Sequence, residues 1–276
     1  MNESPQIERD ARELAFLYDL YIVPEWRERF DRLVDEEIEV PKEGKLLDAG
    51  CGTGGYAVDL ALRGGPKVEV VGIDANAERL TLARGKAEVV KLTRATFFQG
   101  SMRALGALDE EFDLVIGDLS MLPTEDLEEA FAELARVARP KAFVCAKLAT
   151  RGSFDEFFSL YWEALYELDL VSYSPRLEEL ITERLTVGDA EAAAAAAGLK
   201  AVRSVTRKER FDFEDAAAFF ASPLIDAAFL ADWMAIVPEG KTRDRVAAQL
   251  RAVIDRERNA MPFDVSIKAT LVIGRK

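Results

Sequence analysis

Two carboxylates and a run of glycines carry the densest chemistry in this sequence. A strand-like run from Lys45 ends at Asp48, and Ala49, Gly50, Cys51, Gly52, Thr53 and Gly54 turn into a helical run from Tyr56 to Leu62. The next strand-like run, KVEVVGID, closes on Asp74, 24 positions after Gly50. Glycines suit a backbone that bends tightly and passes close to a ligand. The helix start behind them presents unpaired N–H groups and a positive dipole end to an anion. A carboxylate closing the neighbouring strand is placed to accept hydrogen bonds from ribose hydroxyls. The glycines alone are ambiguous, because Gly50, Gly52 and Gly55 also satisfy the G-x-G-x-x-G dinucleotide fingerprint. Asp48 argues against a nicotinamide site, where the position two residues before the first glycine is normally apolar.

Composition narrows the chemistry further. The chain of 276 residues has no histidine, which removes Ser-His-Asp and Cys-His catalysis, His-ligated metals and a histidine base together. Proton transfer is left to Asp, Glu, Tyr, Lys, Cys or water. A net charge of −14 repels polyanions and argues against a nucleic-acid partner. Cys51 and Cys145 are too few for a disulfide framework, and no apolar run is long enough to span a bilayer. The acidic N-terminus does not read as a signal peptide, so a cytoplasmic location is expected.

These residues need elements to hold them. From Lys45 to about Leu148, the strand-like runs KLLDA, KVEVVGID, ATFFQ, FDLVIGD and KAFVCAKL alternate with amphipathic helical runs. Such alternation with nearly continuous apolar strands predicts a parallel sheet covered on both faces, with ligands beyond the carboxyl ends of its strands. Before this core, Ser4-Pro5 and Pro24 are each expected to open a helix. After it come an aromatic helical stretch from Ser153 to Leu170, an alanine-rich helix ending at Gly198, a strand, about fifty mostly helical residues and a final strand. A helical cap over residues 1–44 and a main domain over 45–276, with an insert at about 214–261, is the expected organisation.

LLDAGCGTGG followed by VVGIDANAERLTLAR resembles the first two motifs of class I, Rossmann-like S-adenosylmethionine-dependent methyltransferases. The resemblance continues through FQGSMRALG, FDLVIGDLSML and LARVARPKAFV to Ala197-Gly198-Leu199, FEDAAAFFASPL and the closing VIGRK, so it covers nearly the whole chain. It is strongest to the small-molecule group related to ubiquinone and menaquinone biosynthesis enzymes. It implies an α/β fold: a doubly wound, mostly parallel seven-stranded sheet with helices on both faces, an antiparallel last strand, N-terminal helices and a helical insert before that strand. It also implies S-adenosyl-L-methionine as cofactor and S-adenosyl-L-homocysteine as product. Asp48, Ala49 and the loop from Gly50 through Cys51, Gly52, Thr53 and Gly54 would hold the methionine part. Asp74 would take the ribose hydroxyls, and Ala75, Ser101 and Met102 would frame the adenine. Many relatives carry aspartate where Ser101 stands, so adenine hydrogen bonding here would be either weaker or carried by backbone N–H groups. Gly117, Asp118 and Leu119 would lie under the sulfonium.

Asp118 is the catalytic candidate, to stabilise positive charge or accept a proton, although a carboxylate that merely caps its loop fits the sequence equally well. Cys51 reads as a small packed residue rather than a reactive thiol. Tyr18, Tyr21, Trp26, Tyr161 and Trp162 are the lid and acceptor candidates, against ordinary core packing at helical spacing. No acidic cluster suggests a metal. GDLSMLPT stands where nucleic-acid amino-methyltransferases carry an N/D-P-P-Y/F run. The expected function is methyl transfer to a small organic acceptor by direct displacement. A non-catalytic cofactor-binding protein and an NAD(P)-dependent oxidoreductase are the alternatives, and a homodimer is left open.

Overall fold

The computed structural model describes residues 10–276. The helix start expected at Ser4-Pro5 lies outside the described residues. Asp10 caps α1 (Ala11–Leu17) by accepting the Glu13 N–H at 2.7 Å. The helix then continues through Tyr18–Arg27 in a π-helical register into α2 (Glu28–Glu37). Pro24 was expected to open a second helix; it sits inside this continuous one instead. The wider register, in which Glu28 N–H bonds the Val23 carbonyl, absorbs a proline that would break an ordinary α-helical ladder.

The core alternates as expected. The elements are β1 (Glu43–Ala49), α3 (Gly55–Gly64), β2 (Lys67–Asp74), α4 (Ala77–Val89), β3 (Ala95–Gln99), β4 (Phe112–Asp118), α5 (Leu127–Val137) and β5 (Ala138–Thr150). Then follow α6 (Asp155–Glu167), α7 (Ser174–Thr182), α8 (Val187–Ala196) and β6 (Lys200–Phe213). The insert holds α9 (Ala216–Ala221), α10 (Pro223–Ile225), α11 (Ala231–Met234) and α12 (Lys241–Glu257), before β7 (Phe263–Arg275). The seven strands form one sheet in the order β3-β2-β1-β4-β5-β7-β6, with β7 antiparallel to both neighbours. Neighbouring strand residues point to opposite faces. Leu46 therefore joins a core with Trp26, Ala57 and the insert, while Leu47 joins another with Phe131, Leu134 and Ala190. Among the described residues, no helix is long and apolar enough to cross a membrane.

Register decides where the chemistry can sit. Ala49 pairs with Ile73 on one side and Gly117 on the other, so β1, β2 and β4 end level with one another. The chain leaves β1 toward β2 on one side, and β4 lies on the other; a crevice opens where the winding reverses.

The aromatic residues of α6 and the insert make a buried cluster above that crevice. Phe157 stacks on Trp233 with ring centroids 4.7 Å apart and lies 5.1 Å from Phe219, and Phe154 meets Trp233 edge-on at 4.9 Å. Trp26 reaches this cluster from the N-terminal helix, 5.0 Å from Phe229. Removing a fully buried aromatic from such packing costs the transfer free energy and leaves a cavity. Phe157→Ala should therefore lower unfolding free energy by about 3–5 kcal/mol in a urea titration, and a loss below about 1 kcal/mol would show that this cluster is not a packed core.

Candidate active site

The loop after β1 is shaped by backbone contacts before any side chain is considered. The Gly50 and Cys51 N–H groups both bond the Ile73 carbonyl, at 2.7 and 2.9 Å, which turns the chain over the end of β2. Gly52 and Gly54 have φ of +55° and +73°, in the left-handed region that side chains rarely adopt. Their reasons for being glycine differ. A Cβ on Gly54 would lie 2.5 Å from the Ala83 Cβ and 2.8 Å from the Phe97 ring, so Gly54 lets α3 and α4 pack closely. A Cβ on Gly52 would meet the Tyr18 ring at 3.0 Å and Arg27 Nη1 at 3.3 Å, so the outer face of this loop looks onto the cap helix.

Asp74 ties the loop to the next strand. One carboxylate oxygen accepts the Gly52 N–H at 2.8 Å and the other accepts the Asn76 N–H at 2.9 Å. Asn76 in turn caps α4 by accepting the Arg79 N–H at 2.9 Å. Each Asp74 oxygen keeps a lone pair for another donor. A cavity of about 420 Å³ opens beside it, and its walls include Gly50, Asp74, Ala75, Ser101, Met102 and Asp118. These residues come from the ends of β1, β2, β3 and β4, and the sequence placed all of them at the cofactor. Tyr18 and Trp26, expected as lid residues, also border the cavity. Arg79 stacks on the Tyr18 ring with its guanidinium 3.6 Å from the centroid. Asp19 pairs with Lys86 at 2.5 Å and accepts a hydrogen bond from Thr53, fastening the cap helix to α4 and the loop.

Several expected residues support the cavity without lining it. Ala49, Cys51, Thr53 and Leu119 are buried behind the crevice, and a Cβ on Gly117 would collide with Leu134 at 2.5 Å. Burial pushes the Cys51 thiol well above its ordinary range, which keeps it protonated and unreactive. Tyr161 and Trp162 were expected at the acceptor side and are not on this cavity. Tyr161 is fully buried and donates to the Trp233 carbonyl at 3.2 Å, so it is part of the insert's core. Trp162, one position on along α6, is instead partly exposed, and Tyr21 lies off the cavity wall.

Beneath the cavity lies a buried ionic network that the sequence reading missed except for its two aspartates on the strands. Lys147, on β5 and fully buried, donates to Asp31 of α2 at 2.7 Å and lies 3.6 Å from Asp118. Arg27 lies 3.3 Å from Asp118 and donates to the Tyr18 hydroxyl at 3.1 Å. Ser120 donates to Asp118 at 2.6 Å and accepts from the Trp26 indole at 2.8 Å. Burial disfavours charge on both cations, but Tyr18 and Asp118 at Arg27, and Asp31 and Asp118 at Lys147, raise both above their usual ranges. Burial also disfavours the Asp118 anion, yet Lys147, Arg27 and Ser120 bring its carboxyl below the ordinary range. A lowered, ion-paired carboxylate is a weak proton acceptor, so Asp118 suits charge stabilisation better than base catalysis. No spacing rule singles out Arg27 or Lys147, because their partners are distant in sequence.

Two cations face three carboxylates here, and the surplus has physical consequences. Arg27 Nη2 and both oxygens of Asp48 are buried without a hydrogen-bond partner. Burial raises the Asp48 carboxyl to about 6 against the opposing pull of Lys147 and Arg27. An acid whose native value exceeds its unfolded value of about 3.9 binds more protons when folded, so stability falls as pH rises from about 4 to 6 and the penalty is complete above that. Asp48→Asn should therefore stabilise the ligand-free protein near neutral pH by about 1–3 kcal/mol and give little gain near pH 4. Thermal melts of both proteins across this range measure it, and a variant less stable than wild type at neutral pH contradicts the reading.

Part of this chain is similar to known proteins. Residues 46–141 match the family model described as a methyltransferase domain. YqeM of Bacillus subtilis (strain 168), itself named only provisionally as a methyltransferase, is 32% identical over 152 residues, 49% of this chain and 60% of its own length. A demethylmenaquinone methyltransferase of Lactobacillus johnsonii is 29% identical over 144 residues, 52% of this chain and 57% of its own. The chain thus spans about three-fifths of the curated relatives it matches. The crystal structure of YcgJ from Bacillus subtilis superposes with a TM-score of 0.59 at 20% identity, covering 90% of this chain and 98% of that one, a likeness of fold. Glycine turn, acidic strand ends and reversed-winding crevice lie within or beside the matched segment, so residues 46–141 resemble a methyltransferase domain, carried on a Rossmann-like sheet.

Proposed function

We propose that this protein binds S-adenosyl-L-methionine in the crevice beyond β1, β2 and β4 and passes its methyl group to a small organic acceptor by direct displacement. The observation that carries this reading is Asp74, held rigid by two backbone N–H groups at the mouth of the glycine turn, with acceptor capacity left on both oxygens. The residues present suit the cofactor. Asp74 would accept the ribose hydroxyls, and Ala75, Ser101 and Met102 would frame the adenine. The unpartnered Arg27 Nη2 would meet the carboxylate of the amino-acid tail. The carboxylate surplus of the buried network favours a ligand carrying positive charge at its sulfur and amino groups. When bound, the cofactor supplies an electrophilic methyl group with its leaving group attached, so the protein's contribution is alignment and exclusion of water. Asp118 would stabilise that positive charge, and Trp26 and Tyr18 would close the cap side of the crevice.

A small-molecule acceptor agrees with the partly aromatic surroundings and with the net charge of −14, which disfavours a nucleic-acid substrate. The demethylmenaquinone methyltransferase similarity supports the same class of acceptor. The cytosol is the proposed site of action, where the cofactor and reduced cysteines are both at home.

Isothermal calorimetry with S-adenosyl-L-homocysteine and with NAD tests the cofactor, and binding of NAD alone overturns the reading. Asp74→Ala should weaken adenosylhomocysteine binding by about 2–4 kcal/mol, roughly thirtyfold to several hundredfold, through lost ribose hydrogen bonds and a loosened Gly52 turn. Unchanged affinity would place the sugar elsewhere. Gly52→Val should lose binding, because at this left-handed position its side chain would press on Tyr18 and Arg27; circular dichroism checks that the variant folds, and normal binding by it would remove the loop from the site. Incubating the protein with labelled cofactor and a metabolite extract separates an active transferase from a protein that only binds.

A further inference from the structure

A second cavity, of about 320 Å³, adjoins the proposed cofactor crevice. Met121 and Leu122, in the loop after β4, line both. The aromatic pair Trp26–Phe229 joins them as well, because Trp26 borders the first and Phe229 the second. The second cavity is walled by Phe158, Phe229 and Trp233, all buried, and by Leu180 of α7. Thr124 donates to the Glu183 carbonyl at 3.1 Å, which fixes the loop after β4 against the end of α7.

One cation lies among the aromatic and polar residues that wall this chamber. Arg184, half-buried, forms no ion pair and no side-chain hydrogen bond among the described residues; its guanidinium stands 5.9 Å from the centre of the Phe229 ring. Burial lowers its pKa, with only the neighbouring Glu183 acting the other way, yet an arginine stays charged at neutral pH. Guanidinium groups placed against aromatic rings, with their N–H fork free, are suited to planar oxyanions. Glu125, Glu183 and Asp232 are on the same cavity's border, but all three are exposed and solvated, so water screens them.

We infer that this chamber is the acceptor site and that it takes a molecule joining an apolar or aromatic body to a carboxylate, with Arg184 gripping the anion and the reacting end directed past Met121 and Leu122. The inference rests on the methyl-transfer reading only for the word acceptor; the anion site stands or falls by itself. Specificity would come from the unpaired guanidinium, since a neutral or cationic analogue leaves a half-buried charge without a partner.

The probes are 3-phenylpropanoate, its neutral amide 3-phenylpropanamide and the cation 3-phenylpropylammonium. Binding is read from tryptophan fluorescence, to which Trp233 reports, on the protein with and without adenosylhomocysteine. The carboxylate should bind about tenfold or more tighter than either analogue. Arg184→Gln should erase that preference and Arg184→Lys should retain part of it, with adenosylhomocysteine affinity unchanged in both. Equal or reversed order among the three probes in the wild type, a carboxylate preference that survives in Arg184→Gln, or no probe binding to a protein that still binds adenosylhomocysteine, each overturns the inference. The wild-type order decides the matter even if a variant does not fold. Failure of adenosylhomocysteine to bind while the carboxylate preference holds removes the methyl-transfer reading and leaves the anion site standing.

Discussion

A lysine with no access to water, Lys147, holds the N-terminal helix to the sheet. It projects from β5 at the level where Asp118 ends β4, and Asp31 of α2 reaches down to it. Stripping water from an ammonium is expensive, and such a charge persists only when carboxylates surround it. The sheet supplies one and the cap helix the other, so the helix must dock in one position for the charge to be satisfied. Losing one partner of a buried pair typically costs about 3–5 kcal/mol, a large part of a domain's stability. Docking fixes Arg27 and Tyr18 over the glycine turn and Trp26 against the insert. The geometry of the crevice follows from that one electrostatic requirement.

The same docking couples parts of the chain that are otherwise separate. Trp26 touches Phe30, Phe154, Phe211 and Phe229 and also donates to Ser120. One side chain thereby links the cap, the insert, β6 and the loop after β4. The π-helical stretch around Pro24 is the local price of presenting Tyr18, Trp26 and Arg27 together, since a wider turn re-aims side chains that an α-helix would spread differently. The network is not neutral: both Asp48 oxygens and Arg27 Nη2 are buried without a hydrogen-bond partner, and Arg27 borders the cavity. Uncompensated polarity of this kind is destabilising in the empty protein and becomes binding free energy when a ligand satisfies it.

Much of the fold was legible in the sequence because local rules determine it. The alternation of apolar strands and amphipathic helices required a parallel, two-faced sheet, and the closing strand pair with its helical insert was visible as a change in rhythm. Pro24 misled the reading because a proline signals a helix start only where the ladder is α-helical. The segment around α7 was not assigned, and its length of 9 residues, little more than two helical turns, explains why. Within the site, the glycine turn, Asp74, Ser101 and Met102 were legible because backbone sterics and strand ends constrain them to positions set by local spacing. Tyr161 and Trp162 were misplaced because helical spacing identifies a buried face without saying which core buries it.

By itself the sequence determined that a bent, glycine-bearing backbone would stand beside two acidic strand ends, since chirality and strand length leave that turn few alternatives. Only the tertiary structure decided which charges meet. Arg27, Asp31, Asp118 and Lys147 come from a helix and two strands separated by up to 120 positions, and their pairing depends on docking and burial rather than on spacing. The isolation of Arg184 in an aromatic chamber is of the same kind. Sequence fixes what a residue can do; long-range packing fixes the dielectric and the partners, and with them whether it does so.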